Sequence, residues 1–210
     1  MSDINVNEDC KLKGKTIIFL GSSVTRGEAS QGVSFADFLC ERNGCKMIKE
    51  AVSGTTLVND APSSYVNRME KLDIETADYF VCQLSTNDAT QKKELGHVSN
   101  SMDISNFDTK TVAGAIEYIV AYVETKWNCP IVFYTNPQYD SEEYEKMVIL
   151  LEEISEKWKF HVVNLWRDID FNNITDEERV IYMADPIHPT RDGYLKWWTP
   201  YFEASSAFWR

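Results

Sequence analysis

The sequence predicts an α/β fold in which a parallel sheet is covered by helices on both faces. Three observations lead there. Short runs rich in β-branched and aromatic residues are continuously apolar, as strands buried on both faces are. Between them lie segments whose apolar residues recur at helical spacing. Strand and helix alternate along the chain, which requires crossover connections and therefore a parallel sheet.

The elements follow in order. Thr16-Ile17-Ile18-Phe19-Leu20 is the first strand, ended by Gly21. Ser34 caps a helix that carries Phe35, Phe38 and Leu39 on one face and stops at Gly44. Residues 46–52 form a second, weaker strand before Gly54, and a helix over 64–72 leads into strand three, residues 78–84. Residues 88–109 are polar, aperiodic and longer than an ordinary connection, which fits either a lid or binding loop or a solvated insertion. A helix over 110–127 aligns Ala113, Ile116, Ile119, Val120 and Val123. Residues 130–134 are strand four, 142–158 a helix with a solvated glutamate face, 161–165 strand five, and 192–207 a last helix.

At 210 residues, 43% hydrophobic and 26% charged, the chain reads as one domain over 1–210, with a tail at 1–14. Twenty-one basic against 33 acidic residues give a formal charge of −12. Such a chain repels a phosphate backbone, so nucleic acid and anionic membranes are not expected as partners. No apolar run approaches the roughly 20 residues that span a bilayer, and MSDINVNEDCKLKGK has no apolar signal core, so a cytoplasmic location is expected. Cys10, Cys40, Cys45, Cys82 and Cys129 form an odd set without a CxxC pair, fitting neither a disulfide framework nor a zinc cage. Neither a metal nor a cofactor is expected.

In a parallel α/β sheet, ligands bind outside the carboxyl ends of the strands. Four segments at those ends carry polar or reactive side chains: Gly21-Ser22-Ser23, Val52-Ser53-Gly54-Thr55-Thr56, Ser85-Thr86-Asn87-Asp88 and Asp185-Pro186-Ile187-His188-Pro189. Acyl transfer needs a nucleophile, an imidazole base, a carboxylate to orient the base, and donors for the oxyanion. The chain offers one set. Ser23 would attack, His188 would take and return the proton, and Asp185 would hold the other ring nitrogen. The backbone N–H groups of Ser23 and Gly54 and the side-chain amide of Asn87 would receive the oxyanion.

These blocks, GSSVTRG, VSGTT, STND and DPIHPTRDGY, resemble in content and order the signature blocks of the SGNH hydrolases, also called the GDSL esterase/lipase family. The resemblance runs from residue 21 to 194. It implies Ser23 as nucleophile, Gly54 and Asn87 as oxyanion donors, and His188 with Asp185 as base and orienter. It also implies a flavodoxin-like three-layer α/β/α sandwich with a five-stranded parallel sheet. Two positions depart from the pattern: Ser22 stands where the family name has aspartate, and Ser85 where a glycine is usual. Block spacing assigns the nucleophile to Ser23.

Taken singly, each residue has a plainer reading. Ser23 can be a helix cap, Asn87 a turn former, and Asp185 with His188 a capped turn. His161 reads as structural and His97 as solvated, while Trp197-Trp198 and Tyr201-Phe202 read as core, a partner surface or a pocket wall. The function expected is hydrolysis of small soluble carboxylic esters, such as O-acetylated carbohydrates, through an acyl-enzyme. Two alternatives stand beside it. One is an acyltransferase using the same site, and the other a phosphate- or nucleotide-binding module built on the Gly21-Ser22-Ser23 turn.

Overall fold

A computed structural model describes residues 11–208. Five parallel strands, β1 (Thr16–Gly21), β2 (Lys46–Ala51), β3 (Tyr79–Gln83), β4 (Ile131–Tyr134) and β5 (His161–Val163), form one sheet in the order β2-β1-β3-β4-β5. This is the flavodoxin-like order, in which the chain reverses direction across the sheet beside β1. In such sheets ligands bind outside the carboxyl ends of the strands where the order reverses, here β1 and β3.

Alternate strand residues point to opposite faces, and both faces are buried. Ile18, Leu20, Phe80, Cys82, Ile131 and Phe133 pack into one core with α3 (Tyr65–Glu70), α5 (Val112–Lys126) and α6 (Glu142–Trp158). Ile17, Phe19, Val81, Val132, Tyr134 and Val163 pack into the other with α2 (Phe35–Asn43) and the C-terminal helices. There Phe35 stacks on Phe202 at 4.1 Å and meets Tyr134 edge-on at 5.0 Å. Three layers result.

Several expected boundaries move. The tail at 1–14 is only partly visible, since residues 1–10, including Cys10, lie outside the described residues. Residues 11–14 are not a tail, because Leu12 is fully buried and Gly14 N–H donates to Gly44 O at 2.8 Å. Residues 88–109 are not one aperiodic loop. Their start belongs to α4 (Thr86–Thr90), which Ser85 caps by accepting from Asn87 N–H at 3.2 Å. The remainder is tied to α5 and α6. Lys157 Nζ donates to Ser99 O at 2.7 Å, to Ser101 O and to Glu117 Oε1, and Ser99 N–H donates to Glu117 Oε2 at 2.8 Å. Glu117 has no exposed surface. A segment clamped to a buried ion pair is a fixed strap.

After β5, Asp168 caps a short helix (Ile169–Asn172) and Thr175 with Glu178 forms a capping box on another (Asp176–Tyr182), elements that periodicity alone does not announce. The expected C-terminal helix runs continuously over residues 191–204, with a π-helical turn at Tyr194–Trp198 inserted in it, in which Thr199 donates its N–H and hydroxyl to Tyr194 O. Trp198 and Phe202 are fully buried in the core, while Trp197 stacks on Phe171 at 4.5 Å.

Candidate active site

The first segment turns sharply from β1 into α1 (Ser23–Arg26). Gly21 makes the turn possible: a Cβ there would lie 1.7 Å from Thr25 Oγ1. The turn is anchored from β3 by Gln83, whose Oε1 accepts from Ser22 N–H at 2.9 Å and Ser22 Oγ at 3.3 Å. The same oxygen accepts from Thr25 N–H at 3.3 Å and Thr25 Oγ1 at 2.8 Å. These bonds separate the two serines. Ser22 is fully buried against Gln83, whereas Ser23, buried but for 6% of its surface, turns its hydroxyl to His188.

Ser23 Oγ lies 2.8 Å from His188 Nε2, and His188 Nδ1 lies 2.8 Å from Asp185 Oδ2. A carboxylate only accepts, so in the neutral imidazole Nδ1 carries the ring proton and Nε2 is left to accept from the Ser23 hydroxyl. The loop is built for this. Asp185 Oδ1 accepts the N–H groups of Ile187 and His188, each at 2.8 Å, so one carboxyl oxygen shapes the turn while the other meets the ring. Burial raises the Asp185 pKa, but hydrogen bonds from Ile187 N–H and from the His188 ring and N–H outweigh it and hold the carboxyl below its ordinary value. Asn136 Nδ2 donates to Ile187 O at 2.9 Å, and Ala184 N–H to His188 O at 2.9 Å, which fixes the loop to the end of β4 and to itself.

Gly54 follows β2 and Asn87 follows β3, the two strands that neighbour β1. Gly54 is exposed with φ +78°, a backbone conformation that favours glycine, and no atom lies within 4 Å of where its Cβ would be. The space above it is open. Asn87 Nδ2 donates to Thr55 O at 3.0 Å, which uses one of its two amide hydrogens. Asp88, almost fully buried, accepts from Leu57 N–H at 2.8 Å and Val58 N–H at 3.1 Å, and Ser85 Oγ donates to Thr55 O at 3.2 Å. The Gly54 turn and the Asn87 helix are thus stitched together. Burial pushes the Asp88 carboxyl up to about 6, against the pull of those two N–H groups.

The chain matches the profile of the GDSL-like Lipase/Acylhydrolase family over residues 19–196. It belongs to that family. As a family member it is a serine esterase, a hydrolase of esters. Among solved structures, a protein from Lactobacillus plantarum superposes with a TM-score of 0.73 at 18% identity, over 91% of this chain and 94% of the other. A possible lipase from Chitinophaga pinensis gives a TM-score of 0.67 at 17% identity, covering 90% and 96% of the two chains. A family two carbohydrate esterase from Clostridium thermocellum, in complex with cellohexaose, gives 0.63 at 14% identity, covering 92% of this chain and 64% of that one. At these identities the likeness shows the fold. No curated protein sequence matches the chain.

The esterase fold therefore brings Ser23, His188 and Asp185 into one hydrogen-bonded line and joins Asn87 to the Gly54 turn through Thr55 O. His161 opens β5, half-buried, and His97 is exposed on the strap. Gln83, Asp88 and Asn136 carry no reading from the sequence, yet all three orient the site. Gln83 had a signal available: it is the polar residue in an otherwise apolar strand. Among the described residues no helix is long and apolar enough to cross a membrane.

Proposed function

We propose that this esterase hydrolyses small acyl esters by forming an acyl-enzyme on Ser23. The carrying observation is the line of two 2.8 Å contacts from Ser23 Oγ through His188 to Asp185. His188 Nε2 takes the hydroxyl proton as Oγ attacks the ester carbonyl, and Asp185 stabilises the imidazolium and its orientation. The N–H groups of Ser23 and Gly54 and the free amide hydrogen of Asn87 receive the oxyanion. His188 then hands its proton to the departing alkoxide, and the acyl group stays on Ser23. Water activated by the same imidazole attacks the acyl-enzyme, releasing the carboxylic acid and restoring the serine.

The open, exposed backbone at Gly54 supports a short acyl group approached from solvent, and O-acetylated carbohydrates are the class proposed. The carbohydrate esterase likeness supports the same choice. Hydrolysis of p-nitrophenyl acetate, butyrate and octanoate by wild type and Ser23→Ala tests the reading. The expected result is a rate that falls with chain length and disappears in Ser23→Ala. Full activity in Ser23→Ala would end it.

A further inference from the structure

Arg68, on α3, is only 8% exposed, and its guanidinium is fully engaged. Nε donates to Ser63 O at 2.9 Å. Nη1 donates to Glu50 O at 2.9 Å and to Glu50 Oε1 at 3.0 Å, and Nη2 to Gly21 O at 2.8 Å and Thr55 Oγ1 at 3.1 Å. The cation also lies over the Tyr65 ring at 5.2 Å. One planar group thus grips the last residue of β1, the end of β2 and the turn that holds Gly54.

Each grip sits behind a reactive feature. Gly21 is the pivot from which Ser22 and Ser23 leave the sheet. Thr55 Oγ1, while accepting from Arg68, donates to Val52 O at 2.6 Å and so closes the Val52–Thr55 turn around Gly54. Gly21 O also accepts from Val52 N–H at 3.3 Å. Gly54 itself has open space above it, and its turn is held by Arg68 on Thr55 Oγ1 and by Asn87 and Ser85 on Thr55 O.

We propose that Arg68 is a positioning residue for ester hydrolysis, fixing the Ser23 turn and the Gly54 turn relative to each other through the shared Nη2 fork. The inference rests on the reading of Ser23 and Gly54 given above. A lysine ammonium is a point donor and lacks the coplanar fork that reaches Gly21 O, Thr55 Oγ1 and Glu50 O together. Tying the strand ends for stability alone would leave turnover unchanged in a folded variant. Positioning of an oxyanion donor shows in kcat, since losing such a donor costs about 10²–10³-fold.

The test compares kcat and KM for p-nitrophenyl acetate in wild type, Arg68→Lys, Thr55→Val and the double variant, at a temperature where circular dichroism shows each folded. Arg68→Lys should lose about 10- to 100-fold in kcat, part of the cost of a displaced donor, with KM changed less than threefold. Because both variants break the shared Arg68 Nη2–Thr55 Oγ1 contact, their losses should not multiply, and the double variant should fall no more than twofold below the weaker single variant. A folded Arg68→Lys with kcat within threefold of wild type, or losses that multiply in the double variant, would overturn the inference. If Arg68→Lys does not fold, an unchanged kcat in Thr55→Val overturns it equally. Labelling with a fluorophosphonate, in which Ser23 Oγ displaces fluoride at phosphorus, separates this from the parent reading. Failure to label Ser23 in wild type sinks the reading, whereas labelled Ser23 with an indifferent Arg68 sinks only the inference.

Discussion

Replacing Gln83 with methionine, which keeps the length of the side chain but removes its polar atoms, tests whether β3 holds the serine turn in place. The amide oxygen accepts two buried backbone N–H groups, Ser22 at 2.9 Å and Thr25 at 3.3 Å. An unsatisfied buried donor costs about 1–3 kcal/mol, so the short bond and the longer, weaker one together cost about 3 kcal/mol. The Thr25 hydroxyl keeps a partner in Tyr134 Oη at 2.6 Å. Against this, Gln83 Nε2 is buried without a partner, and its removal returns about 1 kcal/mol. The net loss is about 2 kcal/mol, which at this chain length lowers Tm by about 4–8 °C. Loosening the Ser22 amide also frees Ser23 relative to His188, so kcat for p-nitrophenyl acetate should drop at least about tenfold. Thermal melts and initial rates on the same preparation read both effects. A variant with unchanged Tm and kcat would show that Gln83 does not hold the turn.

Ser22→Ala should keep most of the activity, because its hydroxyl only meets Gln83 at 3.3 Å, whereas Ser23→Ala should lose it; the reverse pattern in an ester assay would move the nucleophile to Ser22. The Asp88 pKa is raised from 3.8 to about 6, so its contribution to stability is fully present below about 3.8 and is lost as pH rises through about 6. Urea melts of wild type and Asp88→Asn should therefore show wild type gaining on the variant by up to about 3 kcal/mol between pH 7 and pH 4, and a pH-independent gap would contradict this. Lys157→Met leaves the Glu117 carboxylate buried and unpaired, and should destabilise by about 3–5 kcal/mol while kcat of the folded fraction stays within about twofold. A large kcat loss in that variant would give the 91–109 strap a role at the site. Gly21→Ala, whose methyl group would meet Thr25 Oγ1 at 1.7 Å, should yield little folded protein by circular dichroism.

Much of the framework was legible because strand burial and helix amphipathicity are short-range patterns. Ile17 to Leu20 are continuously apolar because both sheet faces are covered, and Ser34 announces α2 because a cap acts within its own turn. β2 to β5 are a residue or two shorter than expected, and β1 runs one residue further, to Gly21. Helix irregularities were less legible: the π-turn at Tyr194–Trp198, in which Thr199 N–H reaches five residues back to Tyr194 O, does not change the apolar spacing that marks a helix. The strap over 91–109 has no period to read, since it is held by Lys157 from a different helix.

The sequence by itself determined the layered parallel sheet and its family, and it placed Ser23, Gly54 and Asn87 in segments that follow β1, β2 and β3, because motif order and strand ends are properties of local chain. The segment holding Asp185 and His188, expected at a strand end as well, lies beyond two short helices after β5. Only the tertiary structure decided that Gln83 buries Ser22 and fixes the serine turn, that Arg68 stands behind the reactive turns, and that Asp185 both shapes the loop and meets the ring. The reason is separation along the chain. Ser23 and His188 are 165 residues apart, Gln83 and Ser22 61, and Arg68 and Gly21 47. Contacts at such distances depend on which side chains the sheet order β2-β1-β3 brings face to face, and no local pattern records that.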